Sequence, residues 1–459
     1  MMKLKKLTLA NFRGFDQIEV DFDDEVTVIA GVNGVGKTGL LMALTNAMSL
    51  AMPKFTASHE LPISLSDTDV QYEKQALSTS VTLQLHASKV VIDVIRSRPP
   101  SDDQAKVLIT RRDSLRFSTR EAKKGSKEEQ RINDEIRLID MQLNGAADSA
   151  TVRMLPNEGI APASKLNRDT KGDGAQPLAI FYSTARLLSR LPPVLRRAAI
   201  PDASSAHVKS LSLVEVSLND FANWFRVVVA DRNTAARDRL LQQLEKTILA
   251  FLPDVSSLTL AETRPPKFSV KKDNKALFLE QLSDGERGML ALVFDLTRRL
   301  ALANPKSEDP IAEGVALVLI DEIELHLHPS WQRRVLRSLK STFQRCQFVV
   351  TTHSPQVIGQ VRPEQLRLLH PDQTGRVTVT GAAQSFGMDS SWILQNIMGV
   401  PARDLETERR LSLIYQAIDE DNLAAARSRA TELRSEIGDF PDLQEALALL
   451  DRLALLGAE

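Results

Sequence analysis

Gly31-Val-Asn33-Gly34-Val35-Gly36-Lys37-Thr38 sets three glycines, a lysine and a threonine within eight residues. It matches GxxxxGK[ST] and lies between an apolar run, Val26 to Ala30, and a Leu-, Met- and Ala-rich stretch, Thr38 to Leu50. Glycines let the backbone curl so that its N–H groups and a helix N-terminus face an anion. Gly31, Asn33, Gly34, Val35 and Gly36 would cradle the phosphates of ATP. Lys37 would bridge the β- and γ-phosphates, and the Thr38 hydroxyl would bind Mg²⁺. Far downstream, the apolar run Val315 to Ile320 ends in Asp321-Glu322. Behind a phosphate loop such a pair is a Walker B site, with Asp321 holding Mg²⁺ through water and Glu322 orienting or activating the attacking water. In isolation it would be read as a core strand ending in a polar turn.

Two further segments complete the set. Leu282-Ser283-Asp284-Gly285-Glu286 opens a helix running to about Ala303, so a serine and a glycine sit where a helix N-terminus favours phosphate. Taken alone it resembles many N-caps. Val349-Val350-Thr351-Thr352-His353-Ser354-Pro355 is a strand that delivers a histidine. The order of the four segments resembles the ABC-type ATPases, whose signature motif has the pattern LSGGQ. The resemblance implies that Ser283, Asp284, Gly285 and Glu286 face a nucleotide held by the opposite subunit. It implies that His353 contacts the γ-phosphate and acts beside the catalytic Glu322. One phosphate loop and one signature per chain then require a homodimer with shared sites. Asp284 replaces Gly and Glu286 replaces Gln, and an acid near a γ-phosphate is expected to weaken closure or slow turnover.

Glu324-Leu-His326-Leu-His328-Pro329 pairs two histidines, but no third metal ligand with fitting spacing stands nearby. The segment resembles DE-x-E-x-x-LHP of the SMC/RecF/OLD branch, where it forms a dimer-facing loop. Asn11-Phe12-Arg13-Gly14-Phe15 resembles the NFRxF opening of RecF-type heads, which implies that Arg13 reaches the nucleotide; the alternative is a surface arginine on a strand. Gln71, Gln75 and Gln84 are all candidates for the Q-loop glutamine.

The elements that must position these residues form an α/β fold: an ABC-type P-loop head, a mixed sheet with flanking antiparallel strands, a mostly helical insertion and a helical C-terminal tail. Ile18, Val20 and Phe22 alternate with polar residues, as do Val81, Leu83 and Leu85 and then Val90, Ile92 and Val94. Residues 1–110 and 255–384 are read as the two parts of the head. Composition shifts after about 110: residues 111–131 hold eight Lys or Arg against four Asp or Glu, and 119–143 reads as a charged helix. Residues 111–254 are read as the insertion, with a mobile loop at 144–176 rich in Gly, Ala, Asp, Ser, Asn and Pro. Residues 385–459 form the tail, with Ala- and Leu-rich segments near 406–419, 422–437 and 441–456.

A chain of 459 residues exceeds one ordinary core. Its 43% apolar and 25% charged residues are those of a globular protein. With net charge −1, any basic surface must be local. Cys346 is the single cysteine, so no intrachain disulfide or four-cysteine zinc site forms. The lysines near the start precede no apolar signal core, and no run of 18 apolar residues occurs, so a cytoplasmic chain without a membrane span is expected.

LIDEIELHLHPSWQRRVL, CQFVVTTHSPQVI and SFGMDSSWILQNIMGV together resemble the stand-alone bacterial ATPases of anti-phage defence. The Septu and retron-associated PtuA type is nearest in character; PARIS and OLD/Gabija proteins are more distant. The resemblance implies a slow ATPase acting as sensor and regulatory scaffold, a homodimer or higher oligomer, that controls a separate HNH-type nuclease or toxin. OLD-type nucleases carry a Toprim domain, and the acidic cluster of that domain is missing after residue 370, so no nuclease activity is expected on this chain. The alternative is a RecF-like repair or recombination ATPase acting directly on DNA. That needs a basic face. Candidates are the cluster 111–124 (Arg111, Arg112, Arg116, Arg120, Lys123, Lys124) and the cluster 186–197 (Arg186, Arg190, Arg196, Arg197) beside Phe181-Tyr182. Both clusters equally suit solvated helix faces or partner contacts.

Overall fold

The computed structural model describes residues 2–86, 88–98, 102–121, 149–156, 175–186, 188–195, 201–213, 215–261, 263–401 and 403–456, with scattered residues between 128 and 143. Two compact units divide the chain, Met1–Gly387 and Met388–Glu459. Strands of the first unit run in chain order: β1 (Met2–Phe12), β2 (Phe15–Asp21), β3 (Val26–Gly31), β4 (Ala76–Leu85), β5 (Ser88–Ser97), β6 (Ser149–Pro156), β7 (Leu178–Tyr182), β8 (Val255–Ala261), β9 (Lys267–Lys272), β10 (Lys275–Phe278), β11 (Ala316–Ile320), β12 (Gln347–Thr352), β13 (Leu366–Pro371) and β14 (Val377–Thr380).

The central sheet has the order β14-β13-β3-β12-β11-β7. Its four pairings from β13 to β7 are parallel, and β14 joins β13 antiparallel at the edge. β7, β11 and β12 are buried at every position, as strands covered on both faces must be. A second sheet, β2-β1-β4-β5-β6, is antiparallel and alternates buried with half-exposed residues. Between the sheets lies the helix Lys37–Phe55, whose Leu40, Leu44, Ala47 and Met48 share one core with Leu7, Val81 and Ile92 of one sheet and Leu317 and Val349 of the other. The chain is therefore a P-loop head with a mixed sheet and flanking antiparallel strands. A small hairpin sheet, β10-β9-β8, precedes the helix Asp284–Ala303.

Two strands depart from the expected division. β6 pairs with β5 from Ser88↔Pro156 to Ile95↔Ser149, so part of 144–176 is regular structure. Its sequence does alternate, Ala150, Val152 and Met154 against Thr151 and Arg153, but the run is short and set among Gly-, Ser- and Pro-rich segments. The expected mobile loop at 144–148 and 157–174 lies outside the described residues. β7 stands beside β11 in the central sheet, so residues inside the 111–254 block belong to the head itself. A helix spans Asp102–Glu121, and the charged helix expected at 119–143 lies mostly outside the described residues.

In the second unit, helices Leu405–Asp419, Leu423–Ile437 and Pro441–Leu456 share a core of Ile414, Ala426, Ala430, Leu433, Leu443 and Leu450. Asp404 and Asn422 cap the first two through their side chains. No helix among the described residues is long and apolar enough to cross a membrane.

His207 is 2% exposed in the first unit, with Nε2 3.3 Å from Gln176 Oε1. Burial first, then the charges of Arg299 and His59, push its imidazole from 6.5 to about 4. The unfolded imidazole takes up its proton near 6.5 and the folded one only near 4. The stability held by the neutral form is thus complete above the unfolded value and lost as pH falls towards the folded one. Going from neutral pH to about pH 5 should remove about 2 kcal/mol through this residue. Denaturant midpoints of the wild type and His207→Gln at the two pH values check it: the variant should show the smaller loss, and an equal loss refutes the assignment.

Candidate nucleotide site

β3 ends at Gly31 and the loop turns directly into the helix at Lys37. Gly36 has φ +103°, and a Cβ there would sit 2.6 Å from the Phe15 ring, so both conformation and space require glycine. Lys37 is 5% exposed; its Nζ donates to the carbonyls of Gly31 at 2.9 Å and Val32 at 3.0 Å. The ammonium thus lies inside the curl of its own loop. Burial lowers its pKa, against the opposing pull of Glu322, Asp321 and Glu324.

β11 delivers Asp321 beside the first turn of that helix. Thr38 Oγ1 donates to Asp321 Oδ2 at 2.9 Å, and Thr351 Oγ1, from β12, donates to Oδ1 at 2.6 Å. The main-chain N–H of Glu322 donates in turn to Thr351 Oγ1 at 2.8 Å. Glu322 sits at φ +46°, in the left-handed region, and its side chain is half-buried. His353 follows β12 with Nδ1 3.4 Å from Lys37 Nζ, and its main-chain N–H donates to Glu324 Oε1. Burial, then Lys37, lowers the imidazole pKa, so His353 is neutral at neutral pH. Lys37, Thr38, Asp321, Glu322 and His353 therefore converge at one end of the central sheet.

The Thr38 hydroxyl and the Asp321 carboxylate are hard oxygen donors 2.9 Å apart, and no group of three or more His, Cys, Asp or Glu could hold a metal among the described residues. Two protein oxygens suit Mg²⁺, which keeps water and takes phosphate oxygens for its other positions. His326 and His328 are exposed; His328 Nδ1 instead accepts from Ser330 N–H at 3.3 Å and caps the helix Pro329–Thr342.

Ser283 caps the helix Asp284–Ala303, and Glu286 closes a capping box. Glu286 Oε2 accepts from the Ser283 N–H and hydroxyl, both at 2.8 Å, while Oε1 accepts from Lys272 Nζ. Burial would raise the Glu286 carboxyl, but these bonds hold it below the usual range. Asp284 is exposed and paired with Arg287. The expected acid facing a phosphate is thus corrected for Glu286: it is 4% exposed and neutralised by Lys272.

Arg13 sits at φ +50°, donates from Nε to Asp69 Oδ1 at 2.7 Å and lies over the Phe12 ring. A Cβ on Gly39, two residues beyond Lys37, would meet its Cδ at 3.3 Å. It is neither free on the surface nor bonded to the phosphate loop. Of the Q-loop candidates, the Gln71 amide nitrogen donates to Asp16 and the Gln84 amide nitrogen to the His86 carbonyl, both near the antiparallel sheet.

Of the two basic clusters, the described members are mostly engaged within the chain. Arg111 pairs with Glu135 at 2.6 Å, and Arg112 and Arg116 both meet Asp140. Phe181 and Tyr182 are buried strand residues and offer no face for stacking. Arg186 is 6% exposed and donates to the carbonyls of Asp321 at 2.5 Å and Glu322 at 2.6 Å. Arg190 is exposed; Lys123, Lys124, Arg196 and Arg197 lie outside the described residues, as does the side chain of Arg120. Arg186 and Glu324 are the site residues missed: one was counted as a surface charge, the other only as part of a loop motif.

At Gly285 a Cβ would fall 2.3 Å from the His326 carbonyl oxygen, so the signature helix packs directly on the loop after Walker B. Gly285→Ala should cost about 1–3 kcal/mol, because a main-chain oxygen cannot swing aside as a side chain does. Chemical denaturation measures it, and an unchanged midpoint contradicts the contact.

A family model described as "AAA domain, putative AbiEii toxin, Type IV TA system" matches residues 26–359. The chain is 27% identical over 440 residues to the retron Ec83 probable ATPase of Escherichia coli, across 88% of this chain and 78% of that protein. It is 32% identical over 185 residues to the retron Vc95 probable ATPase of Vibrio cholerae serotype O1 biovar El Tor, across 40% of this chain and 36% of that protein. To the Septu protein PtuA of Bacillus thuringiensis it is 24% identical over 221 residues, across 46% and 54%. Since the family model spans most of the chain and its motifs, the chain belongs to that AAA-domain family, in the defence, SMC and RecF branch of the ABC-type ATPases.

Proposed function

We propose that this chain binds and slowly hydrolyses ATP at sites shared between two copies, and that those sites govern a separate effector, an HNH-type nuclease or a toxin, in anti-phage defence. The observation that carries the ATPase part is the bridge from Thr38 through Asp321 to Thr351, which sets Glu322 beside the phosphate loop. Lys37 neutralises phosphate charge, and Glu322 takes up a proton from the attacking water. Thr38 and Asp321 would hold Mg²⁺, which when bound would supply positive charge to the phosphates. In this reading His353, whose Nδ1 is 3.4 Å from Lys37 Nζ, donates to a γ-phosphate oxygen. In this reading Arg13 borders the nucleotide through the first turn of the P-loop helix, and Ser283 with Gly285 addresses the partner's nucleotide.

Support for the defence part comes from the relatives, two named for retrons and one for Septu. Direct action on DNA is the weaker reading, because Arg111, Arg112 and Arg116 are paired and Arg186 is buried.

Lys37→Ala should abolish ATP binding in a fluorescent-nucleotide titration, and unchanged affinity refutes the loop assignment. Glu322→Gln should keep binding while turnover falls about 10²- to 10⁴-fold, with the ATP-bound dimer accumulating; normal turnover would remove its catalytic role. Mixing Lys37→Ala with Ser283→Arg subunits tests sharing. Some activity should return through one intact composite site, and none returns if each chain works alone.

A further inference from the structure

Arg186 holds its charge where no carboxylate hydrogen-bonds to it. Among the described residues the other buried arginines all meet a carboxylate, Arg96 that of Asp67 at 2.8 Å and Arg298 and Arg299 that of Asp295 at 3.0 and 2.6 Å. Arg186 instead donates to main-chain carbonyls: Asp321 at 2.5 Å, Glu322 at 2.6 Å and, more loosely, Ser183 at 3.4 Å. Burying a guanidinium for neutral acceptors is costly, so the position demands a reason.

That reason lies in which carbonyls it takes. The Asp321 carbonyl belongs to the peptide plane before Glu322, and the Glu322 carbonyl to the plane after it. With planar peptides, fixing both planes fixes φ and ψ of the residue between them. The N–H groups of the same two planes are held from the other side, Glu322 N–H by Thr351 Oγ1 at 2.8 Å and Ile323 N–H by the Thr351 carbonyl at 3.1 Å. Glu322 is thereby held at φ +46°, a conformation that costs a residue with a Cβ about 1–2 kcal/mol.

We propose that Arg186 is a positioning residue of the hydrolytic site, clamping both peptide planes of Glu322 so that its carboxylate faces the water to be activated. This rests on the ATPase reading above. The planar fork of arginine reaches two adjacent carbonyls at once, whereas a lysine ammonium holds one firmly. Burial pushes the guanidinium down to about 10, against the pull of Glu324, Asp321 and Glu322, so it remains charged at every working pH.

The test compares full-length wild type, Arg186→Met and Arg186→Lys by steady-state ATP hydrolysis and by amide hydrogen exchange. In Arg186→Met kcat should fall about 10- to 100-fold with KM changed less than about twofold, since a misplaced catalytic group costs rate and not binding. Arg186→Lys should recover part of the loss. Exchange at the Glu322 and Ile323 amides should rise while the phosphate-loop helix stays protected. Unchanged kcat, or kcat and KM worsening together with exchange raised throughout the chain, overturns the proposal. Wild type that binds ATP without turning it over would refute the ATPase reading. The exchange arm then decides the clamp alone, and unaltered exchange at Glu322 and Ile323 overturns it.

Discussion

The Asp321 carboxylate is 3% exposed and accepts one hydroxyl from the phosphate-loop helix and one from β12. A buried carboxylate must find such partners, and these two come from segments far apart in sequence. Thr38 opens the helix that follows β3, Asp321 follows β11 and Thr351 lies near the end of β12, and the order β3-β12-β11 brings the three together. The register does the rest, with Thr351 opposite Ile29 and Ile320 opposite Val350. Glu322 and His353 are then placed by chain connectivity alone, one residue beyond Asp321 and two beyond Thr351. A slip of one residue in the β11–β12 pairing would reverse the faces and dissolve the site.

The signature helix obeys a different constraint. A helix N-terminus attracts an anion, and here an internal one is already present. Glu286 takes the N–H and hydroxyl of Ser283, the donors a phosphate would otherwise receive, and Lys272 from β9 balances its charge. Asp284 and Arg287 balance one another on the surface. The acidity of Ser-Asp-Gly-Glu is thus satisfied within the chain and does not stand as free negative charge. What distinguishes it from a glycine-and-glutamine signature is that Ser283 begins with its donors engaged.

Much of this was legible in the residues because motifs that hold phosphate use main-chain geometry, and such geometry restricts residue types. Gly36 has no alternative beside Phe15, and Asp321-Glu322 can only end a strand that is apolar throughout. The helical tail was equally plain from its Ala- and Leu-rich segments. Arg186 was not legible: its role depends on carbonyls, which every residue has, and an arginine near Arg190 and Arg196 looks like surface charge. β7 was hidden for a related reason, since Leu-Ala-Ile-Phe-Tyr is a short apolar run that fits a helix or a buried strand alike. Only its pairing with β11 settles which, and that contact spans well over a hundred residues of chain.

β7 also joins the two halves of the chemistry within one chain. Tyr182 donates its hydroxyl to Asp295 at 3.1 Å, in the middle of the signature helix, and its carbonyl accepts the Asp321 N–H at 2.9 Å. Asp295 is held further by Arg298 and Arg299, and Arg299 reaches the carbonyls of Ala206 at 2.7 Å and Val208 at 2.9 Å. Arg186, four residues past Tyr182, grips the turn that follows Asp321. For the signature helix to shift while the Walker B turn stays still, at least one bond to Asp295 must break in a fully buried place. Arg298 and Arg299 ride on the same helix, so the bond lost is that of Tyr182, and a buried hydrogen bond to a charged group is worth about 1.5–3 kcal/mol. Tyr182 therefore ties the helix Asp284–Ala303 to the turn after β11 within one chain, through its hydroxyl on one side and its carbonyl on the other.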